Sequence, residues 1–468
     1  MMRSRTLLLA LVVAALSVSG CSTVGNLNPF AKKDKGPAEL AGEGQRISII
    51  PADQILEPAA ALKGVDFSLP MAEVVTSWPL PGGPAEQAVG HVSTAPNLSV
   101  VWRKGFGQGE KRGHYVTAPP VAADGKVFVM DGDSRVVAMD ARSGAQIWKT
   151  ATNPGDNKRD RLAFGGGVAY AGGKLYVSSG YRQVLQLDAA TGAVGWRTKT
   201  SESIHGAPTV SGGRVFVVAI DNTLLTFDAA TGTPSWTYQA LSESARILSA
   251  SSPAVSGDTV VAAFGSGELI ALRTVNGNDL WNEALSRASR TSALSEIRDI
   301  PGRPAIYQGD VFAVSHSGVF AATDMRTGQA RWTLPVVGVT APWPAGDVVY
   351  VVSKTGDVIC ASRENGQIYW IRPLNSAVKA KGGGGMLGIG NVFGLGGGKK
   401  IRPIWSGPLL ANDRLLIVGQ TGEMVVLNAK TGEITKRVDI KGASILSPIA
   451  MGDTVYVVTE KADLIAIR

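Results

Sequence analysis

From about residue 96 onward, short apolar runs alternate with tight polar turns at a near-regular spacing. Ala207-Pro-Thr-Val-Ser-Gly-Gly-Arg-Val-Phe-Val-Val218 is one example, and Ser252-Pro-Ala-Val-Ser-Gly-Asp-Thr-Val-Val-Ala-Ala263 is another. Each reads as strand, glycine turn, strand. Such units recur near Pro119, Gly167, Pro208, Pro253, Pro304, Pro342, Pro408 and Pro448. A second pattern follows most of them: Asp-x-x-Thr/Ser-Gly, three residues, then Trp. It is carried by Asp140–Gly144 with Trp148, Asp188–Gly192 with Trp196, Asp228–Gly232 with Trp236, and Asp324–Gly328 with Trp332. Looser copies are Arg273–Gly277 with Trp281, Ser362–Gly366 with Trp370, and Asn428–Gly432, where Lys436 replaces the Trp.

Eight front halves thus meet seven back halves, and Leu98-Ser-Val-Val-Trp102 is an orphan Trp-bearing strand. The count predicts an all-β, eight-bladed β-propeller of four-stranded antiparallel blades. The N-terminal strand at Val100–Trp102 would close the ring against the C-terminal strands from Ile445 to Ile467. Division of residues 96–468 by eight gives about 47 residues per blade, a propeller period.

The repeat has a physical logic. Gly accepts a positive φ at the hairpin, and Asp or Asn bonds the turn amides. Trp102, Trp148, Trp196, Trp236, Trp281, Trp332 and Trp370 then project from outer strands. There each packs against the neighbouring blade and offers its indole N–H to a backbone acceptor. Recurrence at one blade position favours this structural docking role over seven separate ligand platforms.

The N-terminus reads differently. Arg3 and Arg5 precede the ten-residue apolar run Leu7–Leu16, which is too short to span a bilayer. Val18-Ser-Gly-Cys21 resembles the bacterial lipobox, in which the Cys is lipidated and becomes the mature N-terminus. Residues 1–20 are therefore read as a lipoprotein signal peptide. Residues 21–47 form a flexible tether, and 48–95 a proline-rich extension draped on the domain without a core of its own. A short helix is expected near 53–62, behind Pro51. Ser22 in place of Asp after the lipidated Cys suggests outer-membrane sorting, with the chain facing the periplasm.

Composition narrows the chemistry. Two Cys and four scattered His exclude a disulfide scaffold and argue against a metal site. The net charge of +8 is diffuse, with no Lys/Arg arm for nucleic acid. Cys360 lies in an apolar strand pattern and reads as a buried structural thiol. No catalytic constellation, cofactor motif or metal motif emerges. Gly394-Leu-Gly-Gly-Gly-Lys-Lys400 lacks the Ser/Thr and the strand–loop–helix setting of a phosphate loop.

The Asp-x-x-Thr-Gly…Trp repeat resembles the docking motif of pyrroloquinoline-quinone (PQQ) dehydrogenase-like propellers across nearly all of 96–468. No vicinal Cys pair is present, and the repeat aspartates are used in turns. The reading is therefore a non-catalytic scaffold, the alternatives being a PQQ-dependent periplasmic dehydrogenase or a propeller docking another periplasmic partner. With its lipobox and tether, the chain resembles the BamB family of outer-membrane β-barrel assembly lipoproteins. That resemblance implies binding to the POTRA domains of BamA, handling of unfolded outer-membrane proteins, and membrane attachment through the N-terminal lipid. By position it also implies a partner-binding patch of Ile247 and Leu248 ringed by Arg246, Glu296, Arg298 and Asp299. The long links 149–166, 282–303 and 371–406 should open on the same face. Together they carry nine more Lys and Arg than Asp and Glu. The third holds a glycine-rich, apolar-studded stretch, 382–398, read as a sticky surface for a client or membrane.

Overall fold

The computed structural model describes residues 56–111, 114–153, 163–242, 251–286, 297–375 and 402–468. Among these, strands β1 to β32 form eight four-stranded antiparallel sheets. A representative blade runs outward as β10 (Thr209–Ser211), β11 (Arg214–Val218), β12 (Thr223–Asp228) and β13 (Pro234–Gln239). The innermost strands are β2 (Val121–Ala123), β6 (Gly166–Ala171), β10, β14 (Ala254–Ser256), β18 (Ala305–Tyr307), β22 (Trp343–Ala345), β26 (Trp405–Ala411) and β30 (Ile449–Met451). Their contacts run from β30 to β2 and onward to β26, so they surround a common axis.

Ring closure follows the sequence expectation. In the eighth blade, β1 (Val100–Gly105) is the outer strand beside β32 (Asp463–Ile467), β31 (Thr454–Val458) and β30. Val100 pairs with Ile467 and Lys104 with Leu464. Backbone bonds between Ser99 and Arg468 extend the ladder at 2.5 and 2.9 Å. Pairing the two ends of the chain removes the exposed edges that an open array of blades would present.

Position in the blade explains the hydrophobic pattern. Middle strands are sandwiched between neighbouring blades on both faces, so alternation disappears; β15 (Thr259–Ala263) is buried throughout. Outer strands keep one face in solvent, and β13 alternates between exposed and half-buried residues. Cys360 is fully buried on β24 (Asp357–Ser362), where burial pushes its thiol well above the usual range. It is a packed, inert group.

The Trp and Gly of the repeat form one contact. Trp236 lies over Gly277 of the next blade, and a Cβ at Gly277 would sit 2.5 Å from its ring. Gly277 also has φ +73°, so glycine is required there on two counts. Trp102–Gly144, Trp148–Gly192, Trp196–Gly232, Trp281–Gly328, Trp332–Gly366 and Trp370–Gly432 repeat the arrangement. Six of the seven indoles donate to a carbonyl of the next blade's turn, from Trp281 to Met325 at 2.7 Å through to Trp148 to Ala189 at 3.2 Å. The Trp370 indole N–H has no partner among the described residues. At the eighth position, Lys436 donates instead to the carbonyl of Asn97. The turn aspartates Asp140, Asp188, Asp228 and Asp324 accept three or four bonds each. Asp188 is held down at about 2, chiefly by its bond from Lys174 and then by Thr191.

The extension departs from expectation. Residues 1–55, including Cys21 and the tether, lie outside the described residues. Of the expected helix only a single turn, Ala60–Leu62, is present among the described residues. Residues 75–95 do not drape over the outside; they circle the axis once. Val75 accepts from Gly452 N–H, Trp78 exchanges two backbone bonds with Ala122, and Pro79 accepts from Tyr170 N–H. Gln87 Nε2 donates to Thr209 Oγ1 at 3.2 Å. Ala85 accepts from Val255 N–H, Glu86 from Ile306 N–H, and Gly90 from the Trp343 indole at 2.6 Å. Val92 bonds Leu410 and Asn412, and Ala95 donates to Asp453. Every blade is touched at or beside its inner strand. Trp78 is 0% exposed and stacks on Trp343 with ring centroids 6.2 Å apart. The segment thus has the core the sequence reading denied it, borrowed from the ring.

Candidate functional site

Inner strands run toward the face that carries the turns after them. The links between blades, and the turns between second and third strands, therefore open on the opposite face. The described ends of the three long links lie there; 154–162, 287–296 and 376–401, with the glycine-rich stretch 382–398, lie outside the described residues. Arg246, Ile247, Leu248 and Glu296 do so as well.

Two members of the expected patch can be located. Arg298 is exposed, packed over Gly267, where a Cβ would come 2.9 Å from its carbonyl oxygen. Asp299 is only 3% exposed, and its carbonyl accepts from His316 N–H at 2.9 Å. It supports the surface from beneath and does not form a rim. The chain dips at 299–300 because Ile300 is buried and its N–H reaches the carbonyl of Phe264.

Around Arg298 the structure draws an arc that sequence reasoning missed. Leu241, 67% exposed, donates its N–H to Glu268 Oε2 at 2.8 Å. Glu268 is buried and also accepts from Ser266 and from Asn282. Beyond Arg298 and Asp299 comes His316, whose Nε2 lies 2.7 Å from Lys354 Nζ. Burial, reinforced by the Lys354 charge, holds His316 below its usual range, so it is the neutral acceptor of that pair. Lys354 N–H in turn reaches the carbonyl of Val337, an exposed apolar residue. The arc sets apolar Leu241 and Val337 at either end of a basic centre. Its members come from four blades, so only a Leu in a link and a Lys in a turn signalled it in the sequence.

At the centre of this face opens a cavity of about 400 Å³. Starts of inner strands from seven blades line it, and Pro81 of the inserted segment contributes from below. A quinone cofactor with calcium needs a set of oxygen ligands. Among the described residues, the lining contains no Asp or Glu. Among the described residues, no group of three or more His, Cys, Asp and Glu could hold a metal ion. The residues present do not fit that pair.

A family model described as outer membrane protein assembly factor BamB matches residues 89–160, 132–372 and 394–468. The chain belongs to the BamB family. The BamB protein of Moranella endobia is 23% identical over 410 residues, covering 87% of this chain and 97% of that one. The BamB protein of Salmonella typhimurium is 29% identical over 274 residues, covering 58% and 70%. Among solved structures, BamB from Moraxella catarrhalis superposes with a TM-score of 0.65 at 20% identity, over 79% of this chain and 99% of that one. The quinohemoprotein alcohol dehydrogenase of Comamonas testosteroni shares the fold at a TM-score of 0.62 and 14% identity, over 85% and 81%. The BamB match reaches back to residue 89, inside the inserted segment.

Proposed function

We propose that this chain is a non-enzymatic scaffold of the outer-membrane β-barrel assembly machinery. It docks on the POTRA domains of BamA and holds unfolded outer-membrane proteins near the insertion site. A lipid on Cys21 tethers it to the periplasmic face of the outer membrane. The observation that carries this reading is the BamB family match across the propeller. The arc around Arg298 supports the choice of face, since an apolar and basic surface on a rigid support suits protein docking. Arg246, Ile247, Leu248 and Glu296 are proposed to complete that patch, with Asp299 supporting it from below.

The test is a binding measurement between purified chain and BamA POTRA domains. Leu248→Glu combined with Arg298→Glu is expected to weaken binding by at least about 2 kcal/mol, roughly thirtyfold. The thermal midpoint should stay where it was, because Arg298 is exposed. Asp299 is left intact, since a reversed charge at a buried position would test folding instead. Undiminished binding by the folded double variant would move the docking face elsewhere. A pull-down from detergent-solubilised membranes that recovers a different periplasmic protein and no BamA would replace the partner.

The dehydrogenase reading shares only the fold. Addition of PQQ and calcium is expected to give no calcium-dependent complex by calorimetry and no dye-linked oxidation of alcohols or sugars. A stoichiometric, calcium-dependent complex with turnover would overturn the scaffold reading.

A further inference from the structure

The central cavity contains a cation that no acid answers among the described residues. Arg303 enters it from the residue pair just ahead of β18, and its Nε is buried with no hydrogen-bond partner among the described residues. No described carboxylate forms an ion pair with it, and the lining supplies none. Burial brings the guanidinium down to about 10, so it remains charged at neutral pH.

Its position is set by the inserted segment. Leu80 and Gly83 close a tight turn through reciprocal backbone bonds of 3.0 and 2.8 Å. A Cβ on Gly82 within that turn would fall 2.6 Å from Arg303 Nε, so the arginine lies directly against the turn backbone. The guanidinium therefore has a firm support on one side and the cavity on the other. Beside the cavity, Tyr115, Phe164 and His205 form an aromatic series, with centroids 5.1 and 4.7 Å apart, whose last member is part of the lining. The rest of the wall includes Val339, Ile404 and Leu446 with scattered hydroxyls.

We propose that this cavity binds a small organic monocarboxylate, its carboxylate on Arg303 and its apolar body against Val339, Ile404 and Leu446. A guanidinium fork matches a planar carboxylate with two parallel bonds. One cation in an apolar wall answers one negative charge. A dianion would carry a second charge out of water with nothing to meet it. A volume of about 400 Å³ lies in the range of small-molecule sites and leaves no room for a folded partner. The inference does not depend on the partner reading, because the ligand occupies the cavity and the partner the surrounding surface.

The probe is 4-phenylbutyrate, titrated by calorimetry into the full chain in detergent, beside its neutral amide and phenyl phosphate. The carboxylate should bind at least about tenfold more tightly than the amide and more tightly than the phosphate. Arg303→Met should abolish the preference over the amide, and Arg303→Lys should retain part of it. Equal affinity for acid and amide on the unmodified chain overturns the site, as does no binding up to about 10 mM. Tighter binding of the phosphate overturns the ligand class. These comparisons use the natural protein, so they hold even if a variant fails to fold.

Discussion

Trp78→Ala is expected to lower the unfolding free energy by about 3–5 kcal/mol, the scale of a fully buried Trp truncated in a core that cannot collapse onto the gap. Two losses coincide, at a position whose backbone anchoring the substitution leaves in place. The ring is 0% exposed and stacked on Trp343 of the sixth blade. Its indole N–H reaches the carbonyl of Pro81. Its backbone is paired with Ala122 of the first blade at 2.6 and 2.8 Å. The residue thus links the first blade to the sixth, three places away around the ring, and the cavity it leaves would be lined by residues held in separate sheets. Met71→Ala, in the same extension but 87% exposed, should stay within about 0.5 kcal/mol of the parent. Urea unfolding followed by Trp fluorescence and by far-UV circular dichroism measures both. A Trp78→Ala loss below about 1 kcal/mol would show that the ring stands without its inserted segment.

Cys21→Ala is expected to move the protein from the membrane to the soluble fraction altogether. Each buried methylene contributes about 0.8 kcal/mol; one acyl chain alone binds a membrane only reversibly, and more than one makes the anchor stable. No described helix is long and apolar enough to cross a membrane. Fractionation and intact mass read the two consequences together: loss of the lipid mass and loss of sedimentation with membranes. Unchanged fractionation with an unchanged N-terminal mass would remove the lipid anchor from the proposal. The propeller itself should be unaffected, so BamA binding in solution should persist.

Much of the fold was legible because its signals are local. Asp228 and Gly232 make a turn within five residues, and Trp236 follows at a fixed distance. The turn bonds of Asp228 to Ala230 and Thr231, at 3.1 and 2.8 Å, are those the spacing implies. The orphan strand at Val100 could be assigned because a count of half-blades left one vacancy and one candidate. The candidate site was less legible. Arg298 proved exposed, but Asp299, one residue later, is buried. No periodicity governs a link between blades, so nothing in the sequence distinguished the two. Glu268, Leu241, His316 and Lys354 were missed because they sit at an ordinary strand start, in a link between blades and in two ordinary turns, and only the assembled ring brings them into one arc.

The sequence by itself determined the number of blades, the strand order within each, and the closure of the ring by its two ends. These follow from alternation, turn chemistry and arithmetic, all of which act within one repeat or between repeats of the same kind. Only the tertiary structure decided the course of residues 75–95 and the setting of Arg303. That segment has no repeat and no regular alternation. Its partners, from Ala122 to Asp453, lie on eight separate blades and become a continuous surface only when the ring exists. Arg303 looks in the sequence like any loop arginine between Gly302 and Pro304. Its isolation arises from long-range packing, in which the turn at Gly82 closes one side of a channel that supplies no acid among the described residues.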